Sequence, residues 1–291
     1  MHQFYFIILT LFSMSCHGQN VSHSIVTSAN VKYNDDDKLR FNELINNYNQ
    51  DQKTDQPIGQ ISIHIANQLL TIPYVAATLE TDGNELLVIN LREMDCTTFV
   101  ENVVALSICL KNKTCTFDDY CQTLTQLRYH NGIINQYPSR LHYFTEWLVD
   151  NQKKNLITII SDSIGNAPFD ATVNFMSTHP DKYKQLTLKP EFIPEIAKTE
   201  VCVSAQELKY ITKDQVELVE DKINDGDIIA IATSMPGLDI SHVGIAVHVN
   251  NRLHFYHASS TEKKVVLSAK PLSEYLAGIK SNTGILVARI K

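Results

Sequence analysis

The chain has 291 residues, with 25 Lys and Arg against 32 Asp and Glu and a formal charge of -7. That length and an apolar fraction of 44% suffice for a sizeable core. No basic run is long enough to track phosphates, so composition excludes an electrostatically driven nucleic-acid binder.

Residues 4–12 form an apolar run too short to span a bilayer, followed by small residues, as in a secretory signal without its positive start. Ser13-Met14-Ser15-Cys16 reads as a lipobox with Ser13 in the place of the usual aliphatic residue. Cys16 would then carry lipid and tether the mature chain to a membrane; simple cleavage and an uncleaved anchor are the alternatives. The expected organisation is a signal over 1–20, a polar leader over 21–34 and a single domain over 35–291 with a helical insertion at about 112–222. An exported chain would face the periplasm or cell envelope.

Apolar spacing predicts helices over 37–48 and 58–70, the second punctuated by Pro73. Asp82-Gly83 marks a turn before a short strand over 86–89. The next stretch reads Arg92-Glu93-Met94-Asp95-Cys96-Thr97-Thr98-Phe99-Val100-Glu101. Asp95 suits a helix N-cap, and Phe99, Val100, Val103 and Val104 repeat at the spacing of a buried helical face that includes Cys96. A thiol in that first turn is expected to favour the thiolate, because unpaired N–H groups and the helix dipole surround it. A small core cysteine is the structural alternative.

Cys109, Cys115 and Cys121 cluster around the turn at 111–114, where a bridge within the trio is one expectation. Helices follow over 117–129, with Thr116 as cap, and over 139–151, carrying the sole tryptophan, Trp147. Beyond Leu156 the pattern changes to short β-like runs at 156–160, 227–233, 243–249, 253–258, 265–267 and 285–290. Helical stretches interrupt them at 181–186, 204–220 and 272–279. No internal repeat is present. Helices first and mostly antiparallel strands later predict an α+β fold, with the Cys96 helix packed on the sheet.

Asn250-Asn251 between two apolar runs signals a two-residue hairpin, since Asn tolerates positive φ. That turn pairs Val249 with Arg252 and, counting back, Gly244 with His257 and His242 with Ser259. His242 and His257 then share one face as diagonal neighbours, about 7–8 Å apart at the backbone. Gly244 would leave room for an imidazole to lie across the ladder. His248 shares their face at the far end, and His254 points the other way. Acyl transfer from an amide needs a thiolate, an imidazole, a polar group to orient it and donors for the oxyanion. Cys96, His242 and His257 satisfy that list in type and order.

Pro73-Tyr74, Asp95-Cys96, Gly226-Asp227-Ile228-Ile229, Ser241-His242-Val243-Gly244-Ile245 and His257-Ala258 resemble the ordered signature of NlpC-type papain-like peptidoglycan peptidases. More closely, the run from Met94 to Glu101, Ser139-Arg140-Leu141-His142-Tyr143, Asn174-Phe175-Met176-Ser177-Thr178-His179 and Gly237-Leu238-Asp239-Ile240-Ser241-His242 resemble the AmiA-like N-acetylmuramoyl-L-alanine amidase family. The resemblance implies a papain-like core in which Cys96 is the nucleophile, His242 the base and His257 its orienting partner. It implies that Tyr74 stands near the oxyanion or scissile carbonyl, that Asp95 helps hold a substrate amine, and that Ser241, Arg140 and His142 bind substrate, Arg140 by gripping a stem-peptide carboxylate. On a helix, an arginine is also an ordinary surface group. Asn174 and His179 either line the cleft or cap their segment. The familiar Asp-Cys-Ser-Gly run is Asp-Cys-Thr-Thr here, which bears on peptide specificity more than on chemistry.

The implied substrate is peptidoglycan or a muropeptide, cleaved at the lactyl–L-alanine amide through a thioester, with no cofactor. A γ-D-glutamyl endopeptidase, a non-catalytic muropeptide-binding module and a lipid acyltransferase are the alternatives. A zinc amidase is disfavoured: the chain has 11 histidines but no His-Glu-x-x-His run, and neither His248 nor His254 has the right placement.

Overall fold

A computed structural model describes residues 30–51, 55–112 and 115–291. The apolar run at 4–12, Cys16 and most of the leader lie outside the described residues. Ten helices are described: α1 Asp35–Asp51, α2 Ile58–Gln68, α3 Cys96–Lys111, α4 Phe117–Arg128, α5 Phe144–Lys153, α6 Ser161–Ile164, α7 Phe175–Thr178, α8 Lys184–Leu188, α9 Ile193–Ser204 and α10 Leu272–Ala277. The strands are β1 Val31–Lys32, β2 Leu87–Val88, β3 Ile157–Ile159, β4 Ala167–Pro168, β5 Lys209–Thr212, β6 Ile228–Thr233, β7 Ile240–Val249, β8 Arg252–Ser259, β9 Lys264–Leu267 and β10 Asn282–Ile290. No described helix is long and apolar enough to cross a membrane.

The main sheet runs β4-β5-β10-β6-β7-β8-β9, with β3 also on β10, and its strands pair antiparallel among the described residues. The small pair β1 and β2 is parallel. This is the expected α+β architecture. Strand alternation sorts the sheet residues onto two faces. Val243, Ile245, Tyr256, Ala258, Ala230 and Leu286 belong to the large core that contains α3, whereas Ile229, Ile231, Ala246, Phe255, Ile285 and Val287 pack with Leu272 and Leu276 of α10.

α3 is buried almost all round rather than along one stripe. Phe99, Val100, Val103 and Val104 take the apolar contacts that their spacing predicts. The polar positions between them are each matched: Arg128 Nε donates to Glu101 Oε2 at 2.8 Å with both side chains 2% exposed, and Arg128 Nη1 donates to the Val88 carbonyl at 2.7 Å. Tyr120 donates to Asn102 Oδ1 at 2.6 Å, and Ser62 to Ser107 Oγ at 3.0 Å. Breaking a buried pair such as Glu101–Arg128 by removing one partner costs about 3–5 kcal/mol, so these contacts strongly constrain how α3 sits. Asp37 adds a tie from α1, accepting from Leu91 N–H at 2.9 Å and Arg92 Nε at 3.0 Å, just ahead of the cysteine turn. A Cys109–Cys115 disulfide joins the end of α3 to the entry of α4, and Cys121 lies outside it.

Two predicted helices are corrected. The stretch over 139–151 is extended through Arg140–Tyr143 and becomes helical only at Phe144, because the Asp239 carboxylate receives the Thr145 N–H at 2.8 Å and so caps α5 from a distant segment. The stretch over 204–220 is not an α-helix. α9 ends at Ser204, Tyr210-Ile211-Thr212 joins β5 against β10, and residues 216–222 form a 3-10 turn. Aromatic and β-branched side chains favour that strand over the helix.

The hairpin forms as the turn demands. Asn250 and Asn251 have φ of 51° and 62°, the positive pair of a type I′ turn, and Val249 faces Arg252. The ladder continues to Ile245 opposite Tyr256, and the expected Gly244–His257 and His242–Ser259 pairs are not among its partners. Gly244 does make room for a ring, but the ring is Phe255: a Cβ there would lie 2.6 Å from Phe255 Cδ2 and 2.4 Å from the Tyr256 carbonyl oxygen. Gly244→Ala is therefore expected to cost about 1–3 kcal/mol through overpacking. A melting temperature equal to wild type would show that β7 and β8 separate more easily than this.

Candidate active site

Cys96 opens α3, and Asp95 caps it. The Asp95 carboxylate accepts from Thr98 N–H at 2.8 Å, while the Thr98 hydroxyl accepts from Asp95 N–H at 2.9 Å, completing a reciprocal box. Thr98 stands where the Asp-Cys-Ser-Gly run has glycine, so that departure strengthens the cap. The Val243 N–H and the hydroxyl and backbone N–H of Thr97 act on the thiol in the direction of the thiolate. Burial first, and the Asp95 carboxylate second, outweigh them and push the thiol up to about 12. Desolvation thus opposes the helix start, which on sequence alone favours the thiolate, and the residue itself is only partly covered.

The Val243 donor follows from strand geometry. Ala246 exchanges backbone hydrogen bonds with the β6 side through Gly226 and Asp227. Bonding alternates along an antiparallel strand, so the odd-numbered N–H groups of β7 point towards β8. With the β7–β8 ladder ending at Ile245, Val243 has no ladder partner on that side, and its N–H acts to lower the Cys96 thiol.

His242 lies just after an irregularity in β7. Ile231 faces His242 but Ala232 faces Ile240, so Ser241 is the extra residue of a bulge. Bulges bend a strand and re-aim its side chains. His242 Nε2 lies 2.7 Å from His257 Nδ1. His257 is 4% exposed, stacks on Phe255 at 4.4 Å and meets Tyr275 edge-on at 5.7 Å. Burial lowers His242 to about 4, and burial together with the neighbouring His242 lowers His257 to about 3. Both rings are neutral at pH 7, so one donates and the other accepts across the 2.7 Å contact.

Cys96 and His242 line one cavity of about 180 Å³ with Ser241, His142 and an apolar, aromatic wall that includes Trp147 and Met176. His142 is extended backbone, not helix; its Nε2 bonds the Tyr137 carbonyl at 3.0 Å, and burial lowers it to about 3. Tyr74 is close enough to Cys96 and Asp95 that their charges add to burial in raising its hydroxyl. Arg140 does not line the cavity. It is 7% exposed, with Nη1 at 3.0 Å from Glu80 and Nη2 at 2.7 Å from Glu85. Its helical placement is corrected, and its fork is occupied by the loop that follows Tyr74. Asn174 and His179 are likewise absent from the lining.

Sequence reasoning missed Thr97, Trp147, Asp239 and Tyr275. Asp239 is 2% exposed; Thr145 Oγ1 donates to it at 2.7 Å and Ile240 N–H at 2.7 Å, besides the Thr145 N–H. Its neighbour Ile240 begins the strand that bears His242, a hint present in the sequence. His248 pairs with Asp225 at 2.8 Å and His254 with the Ser268 carbonyl at 2.9 Å, both away from the thiol. Among the described residues no group of three or more His, Cys, Asp or Glu could hold a metal ion.

A family profile described as AmiA-like, N-acetylmuramoyl-L-alanine amidase-like, matches residues 64–285. A Bacteroides uniformis structure named as an N-acetylmuramoyl-L-alanine amidase is 40% identical, covers 80% of this chain and 99% of its own, and superposes with a TM-score of 0.77. A Bacteroides fragilis structure named for a proposed xylanase activity is also 40% identical, over 77% of this chain and 98% of its own, with a TM-score of 0.74. A Legionella pneumophila protein, 21% identical over 87% and 94% of the two chains, shares the fold with a TM-score of 0.67. No curated protein matches the chain. With three quarters of its length inside the family match and a near-complete structural relative at 40% identity, the chain belongs to the AmiA-like family of N-acetylmuramoyl-L-alanine amidase-like proteins.

Proposed function

We propose that the chain is a peptidoglycan amidase that hydrolyses the amide between the lactyl carbonyl of N-acetylmuramic acid and L-alanine, in the wall or its soluble fragments, using Cys96. The observation that carries the mechanism is the 2.7 Å contact between His242 and His257, with His242 and Cys96 on one cavity. His242 holds its proton on Nε2 and donates to His257 Nδ1, leaving Nδ1 as the base. It takes the thiol proton as sulfur attacks the carbonyl carbon, then returns it to the departing nitrogen. Water, activated by the same imidazole, resolves the thioester to the lactyl carboxylate. The Thr97 and Val243 donors lessen the cost of the transient thiolate. Tyr74, whose hydroxyl feels the Cys96 and Asp95 charges, would donate to the oxyanion, and Asp95 would hold a substrate amine.

We read the core as papain-like, since a helix opening at a cysteine packs on an antiparallel sheet that bears the imidazole. We read the protein as exported; a Cys109–Cys115 bridge suits an oxidising compartment. The xylanase name of one relative finds no support here. Glycoside hydrolysis uses paired carboxylates, whereas the cavity lining holds one, Asp239, whose oxygens are taken by Thr145 and Ile240.

Mass spectrometry of defined muropeptides at neutral pH, with chelator present, tests the bond and the nucleophile together. Wild type is expected to release the intact stem peptide, and Cys96→Ala none, with little change in melting temperature. Turnover by Cys96→Ala would end this reading, and a sugar that keeps L-alanine and D-glutamate would make the enzyme an endopeptidase. His242→Ala is expected to lower kcat/KM about 10³-fold and His257→Ala only about tenfold, because orienting a base contributes less than being one. Equal losses would exchange the two roles.

The protonation states set a pH profile. His242 must be neutral to accept the proton, and its folded value is about 4, so kcat/KM should be lost only as pH falls through that region. Cys96 keeps its proton to about 12, so no thiol limb is expected between pH 6 and 9. An acid limb near the ordinary imidazole value of about 6.5 would contradict the buried pair.

A further inference from the structure

In the proposed mechanism His257 orients the base, yet among the described residues the 2.7 Å contact with His242 is its one hydrogen bond. A single bond fixes one point of a ring. Rotation about the last torsion of a histidine is broad and two-fold, so the attitude of the imidazole must be held by packing. Phe255 stacks on one face at 4.4 Å and 15°, which sets the plane but lets the ring slide within it. Tyr275 of α10 crosses both rings, at 5.0 Å and 79° from Phe255 and at 5.7 Å and 70° from His257. The three distances close a triangle, which puts Tyr275 beside the stack and not on top of it. The imidazole is thereby bounded by Phe255 on a face and by His242 and Tyr275 along its rim.

We propose that Tyr275 is a positioning residue, whose ring stops His257 from sliding along Phe255 and so keeps Nδ1 aimed at His242 Nε2. The inference rests on the cysteine amidase reading, in which that contact orients the base. The Tyr275 hydroxyl makes no hydrogen bond among the described residues; α10 is seated instead by Leu272 and Leu276, both 0% exposed in the core that contains Phe255. Tyr275 also helps cover the imidazole. Burial first and the neighbouring His242 second lower His257 to about 3, so opening its rim to water should let it protonate at higher pH. A protonated Nδ1 cannot accept, and the contact is then lost as pH falls through the raised value. Burial first and the Cys96 charge second raise the Tyr275 hydroxyl, so a direct part in the chemistry is the competing role, and Tyr275→Phe separates hydroxyl from ring.

A double-mutant cycle tests whether Tyr275 acts through His257. In the full chain, Tyr275→Leu is expected to lower kcat on a muropeptide about tenfold with KM unchanged, the loss expected of His257→Ala itself, and Tyr275→Phe to stay within about twofold of wild type. Added to His257→Ala, Tyr275→Leu should cost nothing further, since the group it positions is gone. Additive losses would overturn the proposal, and so would a Tyr275→Phe loss as large as that of Tyr275→Leu, which would give the role to the hydroxyl. Nuclear magnetic resonance of the chain labelled with 15N-histidine reads the same contact without turnover. Tyr275→Leu should raise the pH at which His257 titrates by roughly one to two units, and Tyr275→Phe should leave it in place. Should Tyr275→Leu fold poorly, Tyr275→Met fills the space with a flexible chain and no ring, and replaces it in both measurements. An unmoved His257 titration would overturn the proposal and leave the amidase reading intact. A moved titration, with no muropeptide cleaved by wild type, would end the amidase reading and leave Tyr275 as the residue that holds His257.

Discussion

The turn at Asn250-Asn251 is the constraint on which the site depends. Side chains alternate along a strand, so a shift of one residue between β7 and β8 would send His242 and His257 to opposite faces. Two asparagines at positive φ hold the two-residue loop, and the loop holds the register from Val249–Arg252 to Ile245–Tyr256. Beyond that point the two strands part. Because they part, the Val243 N–H has no partner on β8, and beside the bulge at Ser241 His242 lines the cavity shared with Cys96. The regular part of the hairpin supplies alignment and its irregular end supplies chemistry.

Competing effects at Cys96 show which physical term governs reactivity. A helix start, two donors from Thr97 and one from Val243 all favour the anion, yet burial and the capping Asp95 carboxylate prevail. The same burial depresses both imidazoles. A standing thiolate–imidazolium pair would pay desolvation for two ions continuously. In the mechanism we propose, a neutral pair incurs that cost only during attack, when the contact to His257 and the donors around sulfur are worth most.

Much of this was legible because it is local. The Asp95 cap, the apolar face of α3, the hairpin and the shared face of His242 and His257 each follow from residues within about one element of each other. What was not legible depends on long-range partners. Residues 139–151 have helical spacing, but where the helix starts is decided by Asp239, 94 positions away, which caps it at Thr145. Arg140 looked like a substrate ligand, and its neighbours Glu80 and Glu85 come from a loop that sequence spacing could not bring to it. Ser204 and the residues after it fit a helix until β10 offers Ile211 a strand partner.

Asp239 also ties the cavity wall to the strand that bears His242. The segment over 137–203 builds its own small core from Tyr137, Tyr143, Met176, Phe192 and Ile196, and Tyr143 anchors it by donating to buried Glu200 at 2.7 Å. That core needs a joint to the sheet if Trp147 and His142 are to keep their distance from Cys96. The Asp239 carboxylate provides it, taking the N–H and hydroxyl of Thr145 on one side and the N–H of Ile240 on the other. Burial raises this carboxyl above its ordinary value and its donors offset that only in part, so the joint is strongest while Asp239 is ionised. The cavity wall at Trp147 and the strand that carries His242 are thereby held by one buried side chain.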